Sequence, residues 1–185
     1  MRKQRIMAPL VLALLATGCG PVTSLHPLYT RSSVSSDPAL PGTWAGDGDL
    51  AGDAWTFEKS GDDAFALVRT SEGEQPDRFD IHLVRLGQFL FLDASRRDET
   101  VSTHILGRVW IEGDVLRIAL IDEDWLKAAL SRKEVSVRYE RLANENGDED
   151  QIVLTASTEE LQKLMLTCAK SVNGFSEPLE LHRQK

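Results

Sequence analysis

Most of this chain alternates apolar and polar residues in short runs separated by turn signals, a pattern typical of antiparallel β-structure. Within residues 55–59, Trp55 and Phe57 fall on one face of the predicted strand, and residues 79–83 repeat the pattern. Further strands are predicted at 64–70, 89–94, 104–121 (a hairpin around Glu112-Gly113-Asp114), 135–142, 151–157 and 178–183. The pattern predicts about nine or ten strands in all.

Two helical segments interrupt the strands. Either Asp122 or Asp124 is placed to cap the first helix, which extends to about residue 132. Ser157 and Glu160 form a capping box for the second helix, with the serine at the cap and the glutamate at the third helical position. Cys168 lies on the apolar stripe of that helix, so we expect a buried and unreactive thiol.

Many short strands with one apolar face each must close or fold over on themselves to bury that face. We therefore predict a mainly β fold, an antiparallel barrel or sandwich, with two short helices in its C-terminal half. Aromatic side chains predicted to point inward are also the candidates for lining a ligand pocket: Trp44, Trp55, Phe57, Phe79, Phe89 and Phe91. Ile81 and Val109 are predicted to point inward with them. A barrel of about eight strands either fills with side chains or holds one small ligand.

The N-terminal residues do not follow the strand pattern. Three basic residues at 2–5 precede an apolar run at 6–15, which is shorter than the roughly 20 residues that a membrane span needs. Small residues then lead to Cys19, as a signal peptidase site requires. The layout predicts three segments: a signal peptide at 1–18, a lipidated cysteine with a tether at 19–41, and a single β-rich domain at 42–185.

The order Ala16-Thr17-Gly18-Cys19 resembles the lipobox of bacterial lipoproteins. The resemblance implies that Cys19 is acylated and becomes the first mature residue, and Gly20 resembles the pattern that sorts lipoproteins to the outer membrane, facing the periplasm. An ordinary cleaved signal with an incidental cysteine is the alternative. Leu25, Leu28 and Tyr29 form an apolar cluster behind the cysteine, which we expect to dock against the domain; contact with the membrane interface is the rival explanation.

The sequence also resembles a family of small uncharacterised bacterial lipoproteins. The resemblance covers most of the mature chain and implies a lipid anchor, but it supplies no catalytic residues. Its matching stretches are SLHPLYT, LPGTW, DAWTFEKSGD, HLVRLGQFLFLD, RVWIEGDVLRIALIDEDWL, TASTEELQKL and FSEPLEL. Separately, Gly42-Thr43-Trp44 resembles the Gly-x-Trp opening of lipocalin-type barrels, which implies a site for a small ligand.

Charge and spacing exclude several classes of function. The chain has a net charge of −8, and removal of residues 1–18 leaves 18 basic against 29 acidic residues, because three of the 21 basic residues lie there. This balance opposes binding to nucleic acid through charge. The four histidines, His26, His82, His104 and His182, lack metal-ligand spacing. The acidic loop 47–58 has part of an EF-hand pattern, but Ala51 stands at a ligand position.

These observations predict a non-enzymatic protein anchored to a membrane of the cell envelope through its lipid. It would bind an apolar small ligand or an envelope protein, without a cofactor or a metal. A structural lipoprotein without a ligand is one alternative, and a hydrolase whose site is assembled from scattered residues is another.

Overall fold

The computed structural model describes residues 21–47, 50–97, 101–143 and 149–185. The predicted signal peptide and Cys19 therefore lie outside the described residues. The described strands are β1 (Thr23–Ser24), β2 (Val34–Ser35), β3 (Gly42–Gly46), β4 (Ala54–Lys59), β5 (Phe65–Thr70), β6 (Asp77–Leu86), β7 (Phe89–Arg96), β8 (His104–Glu112), β9 (Val115–Leu120), β10 (Tyr139–Ala143), β11 (Glu149–Leu154) and β12 (Leu179–Arg183). The helices are α1 (Glu123–Ser131) and α2 (Thr158–Lys170).

Eight of the strands close into an antiparallel barrel. Its order is β8-β7-β6-β5-β4-β3-β12-β9, and the ring is complete because β9 also pairs with β8. The predicted mainly β fold is confirmed, and it is a closed barrel with two helices. Gly42-Thr43-Trp44 begins the strand β3, which lies in the barrel wall between β4 and β12.

The inside of the barrel is filled by an apolar cluster, which we call the inner cluster. Trp44, Phe57 and Phe65 expose at most 1% of their surface. Side chains that lined a ligand-sized cavity would expose surface to it, so these residues are packed against their neighbours. At one end, the indole Nε1 of Trp44 donates to the carbonyl of the buried Leu40 at 2.9 Å. The remaining buried members are Leu67, Ile81, Leu83, Leu92, Ala94, Val109, Leu116, Ile118 and Leu181.

A second apolar cluster, which we call the outer cluster, lies outside the barrel, between its wall and the helices. Leu126 of α1 and Met165 of α2 belong to it, together with Phe91 of β7. Asp122 caps α1 by accepting a bond from the Trp125 amide at 2.7 Å. The capping box of Ser157 and Glu160 at the start of α2 is confirmed.

Residues 21–35 form an arm that crosses the outside of the barrel. The strand β1 pairs antiparallel with β8 and parallel with β11, and β2 pairs with β6. Leu28 is fully buried in the outer cluster, and Tyr29 packs against that cluster, so docking is confirmed for both. It is wrong for Leu25, which is 42% exposed. Successive side chains of an extended segment point to opposite sides, and Leu25 points to solvent while Ser24 is buried.

Candidate functional site

Four of the six aromatics predicted to line a pocket do meet inside the barrel. Trp44 and Phe57 are buried in the inner cluster, and Trp55 and Phe79 are partly buried against it. Trp44 and Phe57 are closely packed there, whereas Trp55 and Phe79 keep part of their surface exposed.

The prediction that Phe89 and Phe91 point inward is wrong. The inner residue Leu92 pairs with Leu83, whereas its neighbour Phe91 pairs with Val84, and Phe91 and Val84 both belong to the outer cluster. Phe89 packs against that outer cluster as well. The strand β7 is buried on both faces, so its run of apolar residues does not reveal which side faces inward.

A groove opens in the barrel wall where β7 and β8 separate. Their pairing ends at Phe91 and Arg108, although β7 begins at Phe89 and β8 continues to Glu112. The groove has a volume of about 240 Å³. We call it the β7–β8 groove; its lining residues are Asp37, Arg85, Gln88, Phe89, Leu90, Arg108, Val109, Trp110, Ile111 and Glu112.

Arg108 is the central charge of this groove. Its guanidinium carbon lies 4.9 Å from the ring centroid of Phe89 and 4.5 Å from the ring of Trp110, so two aromatic side chains hold it. Partial burial lowers the pKa of Arg108 from its ordinary value. In the part of the chain that the structure describes, no carboxylate pairs with Arg108, whereas Glu112 of the same groove pairs with Arg117 at 2.9 Å.

A second polar cluster lies under the arm. Asp93 is 1% exposed, and its Oδ2 accepts a hydrogen bond from the Leu28 amide at 2.6 Å. Its Oδ1 lies 2.6 Å from Nδ1 of His104, on the next strand. The buried Asp93 carboxylate of β7 therefore links the arm to His104 of β8. Because a carboxylate only accepts hydrogen bonds, the proton of this contact lies on Nδ1 of His104.

His82 and Tyr29 lie beside this carboxylate. Their rings stack at 3.9 Å between centroids with an interplanar angle of 20°. Burial lowers the pKa of His82, although Asp93 and Asp80 act in the opposite direction. Burial first, and the same two carboxylates after it, raise the pKa of Tyr29.

The pair of Asp93 and His104 has the geometry that orients a histidine for proton transfer. A nucleophile is the further requirement for hydrolysis by this means. Ser24 faces His104 across the β1–β8 pair, but its hydroxyl donates to the His26 carbonyl at 2.8 Å. These contacts hold the arm against β7 and β8.

The described residues do not form the other candidate sites, a metal site and an EF-hand loop. Among the described residues, no group of three or more His, Cys, Asp or Glu side chains is placed to hold a metal ion. The second half of the loop 47–58 is the strand β4, where an EF-hand requires a helix, and Asp49 of that loop lies outside the described residues. Cys168 is buried as predicted, and burial raises the pKa of its thiol to about 12.

Comparison with protein families, with curated proteins and with solved structures finds no match to this chain. Within the described ranges, neither helix is long and apolar enough to cross a bilayer.

Sequence reasoning missed Asp93 and Arg108. A signal existed for Asp93, because it is a carboxylate inside the apolar run FLFLDA. A charge in such a run marks either a solvated face or a buried, paired group. The signal for Arg108 was weaker: Trp110 follows it at the period-two spacing that places both side chains on one face.

Proposed function

We propose that this chain is a lipid-anchored β-barrel protein of the bacterial cell envelope, which binds a protein partner through its outer surface and catalyses no reaction. The anchor would be Cys19, at the outer membrane and facing the periplasm. The signal layout and the lipobox resemblance support the anchor. The barrel fold is compatible with a binding domain.

One observation favours a protein partner over an apolar small ligand. The inner cluster is packed around Trp44, Phe57 and Phe65, each of which exposes at most 1% of its surface. A lipocalin-like ligand needs an interior that is not filled. Binding is therefore assigned to the exterior of the barrel, where the β7–β8 groove lies.

Cell fractionation tests the anchor. We expect the parent chain in the membrane fraction, and we expect a Cys19→Ser variant to be released from it or to remain unprocessed. A variant that is as membrane-bound and as fully processed as the parent would refute the anchor.

Two measurements test the mode of binding. An apolar solvatochromic dye added to the natively folded protein should show no saturable binding, since the interior is filled. Mild formaldehyde treatment of intact cells should couple the anchored chain to a discrete heavier species. Saturable dye binding with quenching of tryptophan emission would restore the apolar ligand, and an uncoupled chain alone would favour the purely structural role.

A further inference from the structure

The β7–β8 groove places two strand edges side by side without joining them. Residues 89–90 of β7 pair with β6 on one edge, and residues 109–112 of β8 pair with β9 on one edge. The peptide groups of a strand point alternately to its two sides. About half of the peptide groups in each segment therefore face the groove, where they offer hydrogen bonds to an extended chain.

Elsewhere the protein covers comparable edges with its own arm. Pairing between β5 and β6 ends at Phe65 and Ile81, and β2 then pairs with β6 at Leu83 and Val84. Pairing between β8 and β9 ends at Gly107, and β1 then pairs with β8 at residues 104–105. In the described part of the chain, no strand pairs with the facing edges of the β7–β8 groove.

The groove also carries the charge of Arg108, with which no carboxylate of the described residues pairs. Arg108 is partly buried and held between Phe89 and Trp110. A guanidinium that is already positioned loses little freedom when it binds a carboxylate, and the two can form paired, charge-assisted bonds. Arg85, Asp37 and Glu112 line the same groove, and Glu112 is paired with Arg117, so the charge that the groove offers to a carboxylate on its outer face is that of Arg108.

We propose that the β7–β8 groove binds an extended peptide segment, which adds as a strand beside β7 or β8 and presents one carboxylate to Arg108. This inference rests on the proposed function, because it names the chemistry of the partner. The net charge of −8 opposes a run of acidic residues, so the segment carries one carboxylate among apolar and neutral residues.

A display library of random octapeptides tests the inference on the full chain carrying Cys19→Ser. We expect enrichment of peptides with a single Asp, Glu or terminal carboxylate among alternating apolar residues. Selection on an Arg108→Gln variant should lose that enrichment. Arg78→Gln is the matched control, since it removes one exposed positive charge from β6 outside the groove.

The best enriched peptide is then followed by backbone amide NMR. Binding should shift the amides of residues 88–90 and 108–112. A Glu→Gln analogue of the peptide should bind about tenfold more weakly, the scale of one charge-assisted hydrogen bond. Two further analogues are N-methylated at every second amide, one at the odd positions and one at the even positions. At least one of them should not bind, because N-methylation removes strand hydrogen bonds and keeps the side chains.

Each contrary result has a defined meaning. Absence of enrichment, or equal binding of both N-methylated analogues and the parent peptide, would overturn strand addition. Equal binding of the glutamate and glutamine peptides would overturn the role of Arg108. Shifts that lie elsewhere on the barrel would overturn the groove but leave the proposed function standing. Dodecanoate that shifts the groove amides when no peptide does so would replace the peptide with an anionic amphiphile.

Discussion

The carboxylate of Asp93 holds the backbone of Leu28, which lies 65 residues earlier in the chain, at 2.6 Å. The contact joins the middle of β7 to the arm, and the second oxygen of Asp93 is occupied by His104. A buried carboxylate with two donors is costly to remove, because both donors then lose their partner while they remain buried.

We expect Asp93→Ala to lower the free energy of unfolding by about 3 kcal/mol, since it leaves two buried donors unsatisfied. Urea denaturation measures the loss. Hydrogen exchange should also accelerate across residues 23–35. Asp80→Ala is the matched control, because the Asp80 carboxylate forms a surface ion pair with Arg97, and its loss should cost less than about 1 kcal/mol. Unchanged exchange in the arm of the Asp93→Ala variant would show that the carboxylate does not secure it.

Two leucines of the arm offer a matched comparison. Leu28 is fully buried and Leu25 is 42% exposed. Leu28→Ala should cost about 3 kcal/mol through lost burial and a cavity. Leu25→Ala should change the free energy of unfolding by no more than about 0.5 kcal/mol. Equal losses at the two positions in urea denaturation would contradict the docked arrangement of the arm.

His82 predicts a pH dependence of stability. Its folded-state pKa is lowered by burial, so the unfolded chain binds the proton more readily. The stability contributed by neutral His82 is complete above its unfolded pKa of about 6.5 and is lost as the pH falls through the lower folded pKa. We expect His82→Phe, which retains an aromatic ring against Tyr29, to lose stability less steeply below about pH 6.5. Parallel stability profiles for the parent and the variant would refute the role of His82.

Cys168 should be inert in the folded protein. Burial raises the pKa of its thiol to about 12, and the thiolate is the reactive form. The chain has two cysteines, so Cys168 is the only thiol in a Cys19→Ser variant. At pH 8, we expect iodoacetamide to label that variant rapidly in urea and only at the rate of unfolding in native buffer. Rapid labelling in native buffer would mean that the outer cluster is open around α2.

Local signals were sufficient to predict the helices. Asp122, Ser157 and Glu160 act within one turn of chain, so the residues that define each helix start are adjacent in sequence. The alternation of Trp55 and Phe57 likewise predicted an inward face, because β4 has one apolar side. The strand at 135–142 was predicted to begin too early, since β10 begins at Tyr139.

Non-local pairing explains what the sequence could not predict. The β7–β8 groove exists because pairing ends at Phe91 and Arg108. The register between two strands cannot be predicted from the sequence of either strand alone. Phe91 was predicted to lie on the wrong face, because the helices that cover β7 on its outer side are encoded far along the chain. The contact between Asp93 and the Leu28 amide could not be predicted either, because the two residues lie 65 positions apart in the chain.

The strand β1 has a consequence for the order of folding. Thr23 pairs with Ile105 on one side and with Val153 on the other, and the sheet path from β11 to the barrel passes through β1. The strand β1 is therefore synthesised early, but its partner strand β11 is synthesised only near the end of the chain. Because loops of this length close slowly relative to hairpins, we expect the arm to stay undocked while the hairpins of the barrel form. If Cys19 is processed as we propose, the segment next to it would then remain accessible to the processing enzymes until the rest of the chain has emerged.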